Sequence, residues 1–228
     1  MFEAMTSSPF FGLALTLICW WLAVRFQKKT GQLIFNPVLV TSVLVIAILL
    51  IFHIPLERYN TGADVIKMLL GPATAALALN IYRQRAILKQ HFWPVVLGCL
   101  VGSLASILCV RLLCRVLQAD GVLLNSLLPK SVTTAIAVSI AEGTGGLSGL
   151  TAAAVIITGV EGAIFAPVFA KLFHITDPVA EGIAIGATSH AVGTSKAMEI
   201  GELQGAMSSI ALCVCGIITS VIAGFFAV

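Results

Sequence analysis

Apolar residues fill this chain in long runs separated by short polar linkers. The runs lie at about 9–26, 35–53, 64–82, 92–117, 122–140, 149–173, 179–198 and 203–227. Each is near the length of a bilayer-spanning helix, roughly 20 residues. At membrane depth every backbone polar group needs an internal partner, so runs of this length imply helices. The pattern predicts an all-α polytopic membrane protein of about eight hydrophobic segments, built as a single domain over 1–228.

The runs are not alike. Those at 35–53, 92–117, 149–173 and 203–227 are strongly apolar, whereas 64–82, 122–140 and 179–198 are rich in Ala, Gly, Ser and Thr. Leu70-Gly71-Pro72-Ala73-Thr74 interrupts the third run and Leu128-Pro129-Lys130-Ser131 the fifth. Proline removes a backbone donor and disfavours helix in the residue before it. Pro72, Thr74 and Pro129 are therefore expected to mark broken or re-entrant segments inside the bundle. PATAALALNI from Pro72 and SVTTAIAVSI from Ser131 align without gaps, a weak internal repeat. Transporters often carry such faint symmetry, with the substrate at broken helices in matching positions.

On a continuous helix of about 100° per residue, Gly182, Gly186, Ser189, His190, Gly193 and Ala197 share one face. Gly205, Ser209, Gly216, Ser220 and Ala223 form a second small-residue seam. Such faces allow close helix packing in membranes, so Gly186, Gly205 and Ser209 are read as packing positions.

Composition supports the membrane reading. The chain is 59% hydrophobic and 10% charged, with a mean hydropathy of +1.06. A soluble domain carries about 25% charged residues. The net charge of +3 is spread thinly, with no basic cluster, which excludes nucleic acid as an expected partner. The six cysteines lie in apolar runs and behave as small hydrophobes, so no metal site is expected. No basic n-region precedes the first run, which is expected to be a retained helix. Arg25, Lys28 and Lys29 follow the first run and Arg83, Arg85 and Lys89 the third. By the positive-inside rule these loops are cytoplasmic, which puts both termini outside if there are eight spans.

Candidate chemistry centres on a few polar residues. Lys130 sits mid-run after Pro129, followed by Ser131, Thr133 and Thr134. A lysine at bilayer centre costs roughly 2.5–3.5 kcal/mol on insertion scales and persists with a partner, a cavity or a task. A half-helix starting after the break offers free N–H groups and the positive end of its dipole. Lysine, hydroxyls and amides together suit a small carboxylate; a lysine paired with a buried acid is the alternative. His190 titrates near neutrality, so proton coupling stands beside hydrogen bonding or substrate contact as its role. Glu161 lies midway along the sixth run, on the side of the helix opposite Ala152, Gly159, Gly162 and Ala166. Lys196 and Glu199 are spaced to pair on a helix. His190, Glu161 and Glu199 are the candidate proton-coupling groups. No hydrolase motif is present, and adjacent Ser189 and His190 diverge on a helix, so no enzyme and no cofactor are expected.

LLPKSVTTAIA at 127–137, GATSHAVGTSKAMEIG at 186–201, GAMSSIALCVCGIITS at 205–220 and FNPVLV at 35–40 resemble the signature of the LrgB/CidB family, the antiholin-like, YohK-type membrane proteins. The resemblance implies a bacterial inner (plasma) membrane protein linked to control of murein hydrolases and autolysis. It also implies action with a smaller LrgA/CidA-like membrane partner and oligomeric assembly in lipid. Similarity to the LrgB-like part of the plant plastid glycolate/glycerate carrier, and to relatives implicated in pyruvate uptake, implies transport of small monocarboxylates. By motif position the resemblance points to Lys130, Ser131, Thr133, Thr134, Ser189, His190, Gly193 and Thr194 as substrate-binding. The chain departs from the family at Ala135, where many relatives have proline, and at Glu161, where most have an aliphatic residue.

Overall fold

A computed structural model describes residue 6 and residues 8–32 and 35–227; within these, the side chains of Leu70, Thr74, Leu77, Ala78, Asn80 and Ile81 are outside the description. The chain forms two compact units, Met1–Ala73 and Thr74–Val228.

The first unit holds α1 (Phe10–Thr30), α2 (Pro37–Ile51) and α3 (Leu56–Lys67). Helix α1 stops at Gly31, whose left-handed φ of 66° lets its N–H bond the Gln27 carbonyl. Asn36 starts α2 by accepting the Val38 N–H at 2.9 Å, with Pro37 at the first helical position. Helices α1 and α3 cross at Gly12 and Gly62, where a Cβ would overlap facing backbone. The Thr16 and Tyr59 hydroxyls bridge the same crossing at 2.9 Å.

Helix α4 (Leu70–Arg83) runs across the boundary between the units. Here the predicted break is displaced. The chain turns at Met68 and Leu69, and the helix continues through Pro72. Proline in a first turn loses no helical bond, because those N–H groups have no intrahelical acceptor. The predicted role of the Thr74 side chain lies outside the described residues.

The second unit contains α5 (Arg85–Gln90), α6 (Phe92–Val116), α7 (Gly121–Leu127), α8 (Thr134–Gly143), α9 (Ser148–Leu172), α10 (Pro178–Ile200) and α11 (Glu202–Phe226). Its centre is the α10–α11 pair, with α6 and α9 packed against it. A Cβ on Gly182 would lie 2.7 Å from the Gln204 carbonyl oxygen, and one on Gly186 would overlap the Ser208 carbonyl oxygen and sit 2.9 Å from the Ala211 Cβ. The close seam is therefore made by the α10 glycines against Gln204, Ser208 and Ala211. The stripe predicted on α11 divides between neighbours: Gly205 meets Met198, Gly216 meets Ile136, Ser209 is half-buried and Ser220 is exposed. Val95, Cys99, Ile183, Ala187, Met207 and Ile210 form the main apolar cluster.

Among the described residues four helices, α1, α6, α9 and α11, are long and apolar enough to cross a membrane, and α2 and α8 are shorter apolar helices. Large apolar side chains such as Leu50, Leu112, Val168 and Phe225 are exposed. Water would penalise such a surface; lipid solvates it. No strand occurs among the described residues.

Candidate functional site

The fifth run is broken as predicted. Asp120 caps α7 by accepting the Leu123 N–H at 2.7 Å. Beyond Leu127 the chain tightens, with Lys130 N–H on the Leu127 carbonyl at 3.1 Å and Val132 N–H on that of Pro129 at 3.2 Å. Thr133 is extended (φ −61°, ψ 148°) and α8 begins at Thr134. Thr133 makes no side-chain cap, and its buried Oγ1 has no partner among the described residues. The break is pinned from behind: Asn125 Nδ2 donates to the Thr144 carbonyl at 2.6 Å, Ser126 Oγ accepts the Leu147 N–H at 2.8 Å, and Thr151 donates to the Ser126 carbonyl at 2.9 Å. Gly146 is required here, since a Cβ would lie 2.9 Å from the Ser126 nitrogen.

A second break falls inside α10 and corrects the continuous helix predicted there. His190 has φ 41° and ψ −135°, which divides the helix in two. Positive φ is costly for a residue with a Cβ and persists when its surroundings fix it. They do so here. His190 Nε2 lies 2.9 Å from the Val155 carbonyl of α9; a carbonyl can only accept, so Nε2 carries the proton. The ring lies against Gly159, where a Cβ would come within 2.6 Å of it. Beyond the break, Thr194 Oγ1 donates to the His190 carbonyl at 2.8 Å, and the Ser208 hydroxyl donates to Thr194 at 2.8 Å. Gly193 receives the folded-back Ser189 side chain, and Gly162 of α9 leaves room for the Ser189 hydroxyl.

The two breaks meet at one cavity of about 630 Å³, walled by α6, the 128–133 break, α9 and α10. Lys130 and Ser131 reach it from the first break, Ser189 from the second, Ser106 from α6, and Thr158 and Glu161 from α9. The Ser106 and Ser131 hydroxyls bond each other at 2.7 Å, and those of Thr188 and Ser189 at 3.1 Å. Phe165 and Phe169 supply an apolar wall. Among the described residues, neither Lys130 nor Glu161 has an ion pair or hydrogen bond. The cavity thus offers one cation, one carboxyl group and several hydroxyls to a molecule of a few heavy atoms.

Of the residues singled out in the sequence, Lys130, Ser131, Ser189 and Glu161 come together here. Thr133, Thr134, His190, Gly193 and Thr194 lie behind the lining, in the elements that shape it. Glu199 pairs with Lys196 at 2.8 Å on an exposed turn, away from the cavity. Pro129 is fully buried in the break, while Pro72 is exposed. Ser106, Thr158 and Thr188 were missed, because single hydroxyls in apolar runs are common and usually bond back to their own helix.

Outward-facing apolar helices, with two of the inner ones broken beside a polar cavity, define a multi-pass α-helical membrane protein with a cavity at its helix breaks. The chain belongs to the LrgB-like family, whose model matches residues 16–228. It is similar to the antiholin-like protein LrgB of Bacillus subtilis (strain 168), 37% identical over 222 residues, covering 97% of this chain and 96% of that protein. It is also similar to the antiholin-like proteins LrgB of Bacillus mycoides (strain KBAB4) and Bacillus cereus (strain B4264), each 36% identical over 224 residues, covering 98% of this chain and 97% of the relative. No solved structure matches.

Proposed function

We propose that the protein is a secondary-carrier subunit of the bacterial inner membrane for small monocarboxylates of the pyruvate, lactate, glycolate and glycerate class. One observation carries the reading: two helix breaks meet at a cavity that holds Lys130 without a partner among the described residues. An unpaired ammonium at membrane depth is stabilised by an anion, and a charge-assisted bond to carboxylate is among the stronger polar contacts. Lys130 takes the carboxylate; Ser131 and Ser189 meet the 2-oxo or 2-hydroxy oxygen; Phe165 and Phe169 cover the carbon end. Thr133, Thr134, Gly193 and Thr194 act by holding the breaks in shape. His190 fixes the second break, and an LrgA/CidA-like small membrane protein completes the carrier.

The names of the relatives favour a second reading, an antiholin-like role in restraining murein hydrolase activity and autolysis. Both can hold if transport alters the conditions under which lysis proceeds. Uptake of labelled pyruvate, lactate and glycolate into proteoliposomes, with and without the small partner, separates them. Saturable uptake of a carboxylate supports the carrier. Uptake equal to that of protein-free liposomes, in both preparations, removes it and leaves the antiholin-like reading.

A further inference from the structure

The cavity carries opposite charges on separate walls, Lys130 from the first break and Glu161 from the middle of α9. The two attract each other across it. Among the described residues neither is closed into an ion pair. Cys109 of α6 is the remaining ionisable side chain on the lining; the α10 wall contributes the hydroxyls of Thr188 and Ser189. His190, the next residue along α10, is turned away and spends its Nε2 proton on the Val155 carbonyl. Glu161 is thus the titratable acid that shares a space with the substrate-binding cation.

We propose that Glu161 and the substrate carboxylate alternate as counter-ion to Lys130, so that each carboxylate entering the site is accompanied by one proton taken up on Glu161. This rests on the carrier reading above. In the empty cavity the ammonium and the Glu161 carboxylate sum to zero. A bound carboxylate would leave a net negative charge in a low-dielectric interior, which is strongly disfavoured. A proton given up by the acid form of the bulk buffer converts Glu161 to the neutral acid and restores zero in the cavity. No bond to carbon changes; the proton passes from the bulk buffer acid to the Glu161 oxygen and goes back to buffer base when the substrate leaves. Empty and loaded forms are then both neutral, and net movement is electroneutral proton–carboxylate symport. Exchange of one carboxylate for another moves no net proton.

Calorimetric titration of the purified protein with pyruvate, in buffers of different ionisation enthalpy at one pH near neutrality, counts the protons taken up on binding. The wild type is expected to take up about one proton per pyruvate. Glu161→Gln is expected to bind with none, and Glu161→Asp to restore the uptake. Pyruvate binding by the wild type without proton uptake overturns the inference and leaves the carrier reading intact. Persistent uptake in Glu161→Gln overturns it too, by moving the proton to Lys130 or elsewhere. Absence of carboxylate binding in the wild type defeats both. If Glu161→Gln does not assemble, Glu161→Leu takes its place: pyruvate binding without proton uptake supports the inference, and binding with uptake near one rejects it.

Discussion

His190 and Lys130 are both ionisable side chains at helix breaks, but their surroundings give them different work. His190 is 3% exposed, and its Nε2 proton is committed to the Val155 carbonyl. Lys130 is half-buried, at the edge of a cavity, with no such commitment among the described residues. On this basis His190→Gln should depress gradient-driven uptake and substrate exchange together, because it disturbs the break that places Ser189. Parallel assays in proteoliposomes check this; selective loss of gradient-driven uptake, with exchange kept, would put His190 in the proton path instead. Removing the ring also gives up its hydrogen bond to the Val155 carbonyl, which costs about 0.5–1.5 kcal/mol. His190→Ala should accordingly lower the thermal transition in detergent. Gly162 belongs to the same scale: a Cβ there overlaps Ser189. Gly162→Val should cost about 1–3 kcal/mol by overpacking. A melting temperature equal to wild type would contradict the closeness of the α9–α10 approach.

At the scale of elements, the two breaks were not equally legible. Pro129 announced the first, because a missing donor before a run of hydroxyls is a local signal. The second has no proline; the nearest glycine is Gly193, and the pattern from 183 to 199 reads as continuous helix. Its cause is tertiary, a side-chain bond from His190 to another helix. Pro72 misled in the opposite sense, since a first-turn proline breaks nothing. The α11 stripe serves two neighbours, Gly205 approaching Met198 of α10 and Gly216 approaching Ile136 of α8, which a pattern on one helix does not reveal. The hydroxyl bridge from Thr194 to Ser208 ties the far half of α10 to α11. Thr194→Val keeps the shape and removes the bridge, leaving the buried Ser208 hydroxyl short of a partner. A loss of about 1 kcal/mol is expected in detergent unfolding. No change in the midpoint would mean that packing alone holds the pair.

For the whole molecule, the class was legible because hydropathy acts on every residue at once: long apolar runs, few charges and outward-facing Leu and Phe all report lipid as solvent. The site was legible only in part. Lys130, Ser131, Ser189 and Glu161 stood out as polar residues where lipid would be expected, but their meeting depends on the crossing of α6, α9 and α10, which no local pattern encodes. The basic residues at 25–29 and 83–89 lead us to expect these loops in the cytoplasm and, with eight spans, both termini outside. An extracytoplasmic reporter fused after Val228 should be active and a cytoplasmic one silent; the reverse would remove the eight-span arrangement.

On the carrier reading, a carboxylate binds at Lys130 where the two breaks meet. Labelled-pyruvate exchange in proteoliposomes, comparing wild type with Lys130→Ala at equal inserted protein, tests it most directly. Loss of the charge-assisted bond, about 1.5–3 kcal/mol, predicts at least a tenfold fall in apparent affinity, with exchange approaching that of protein-free liposomes. Exchange by Lys130→Ala equal to wild type would contradict the account.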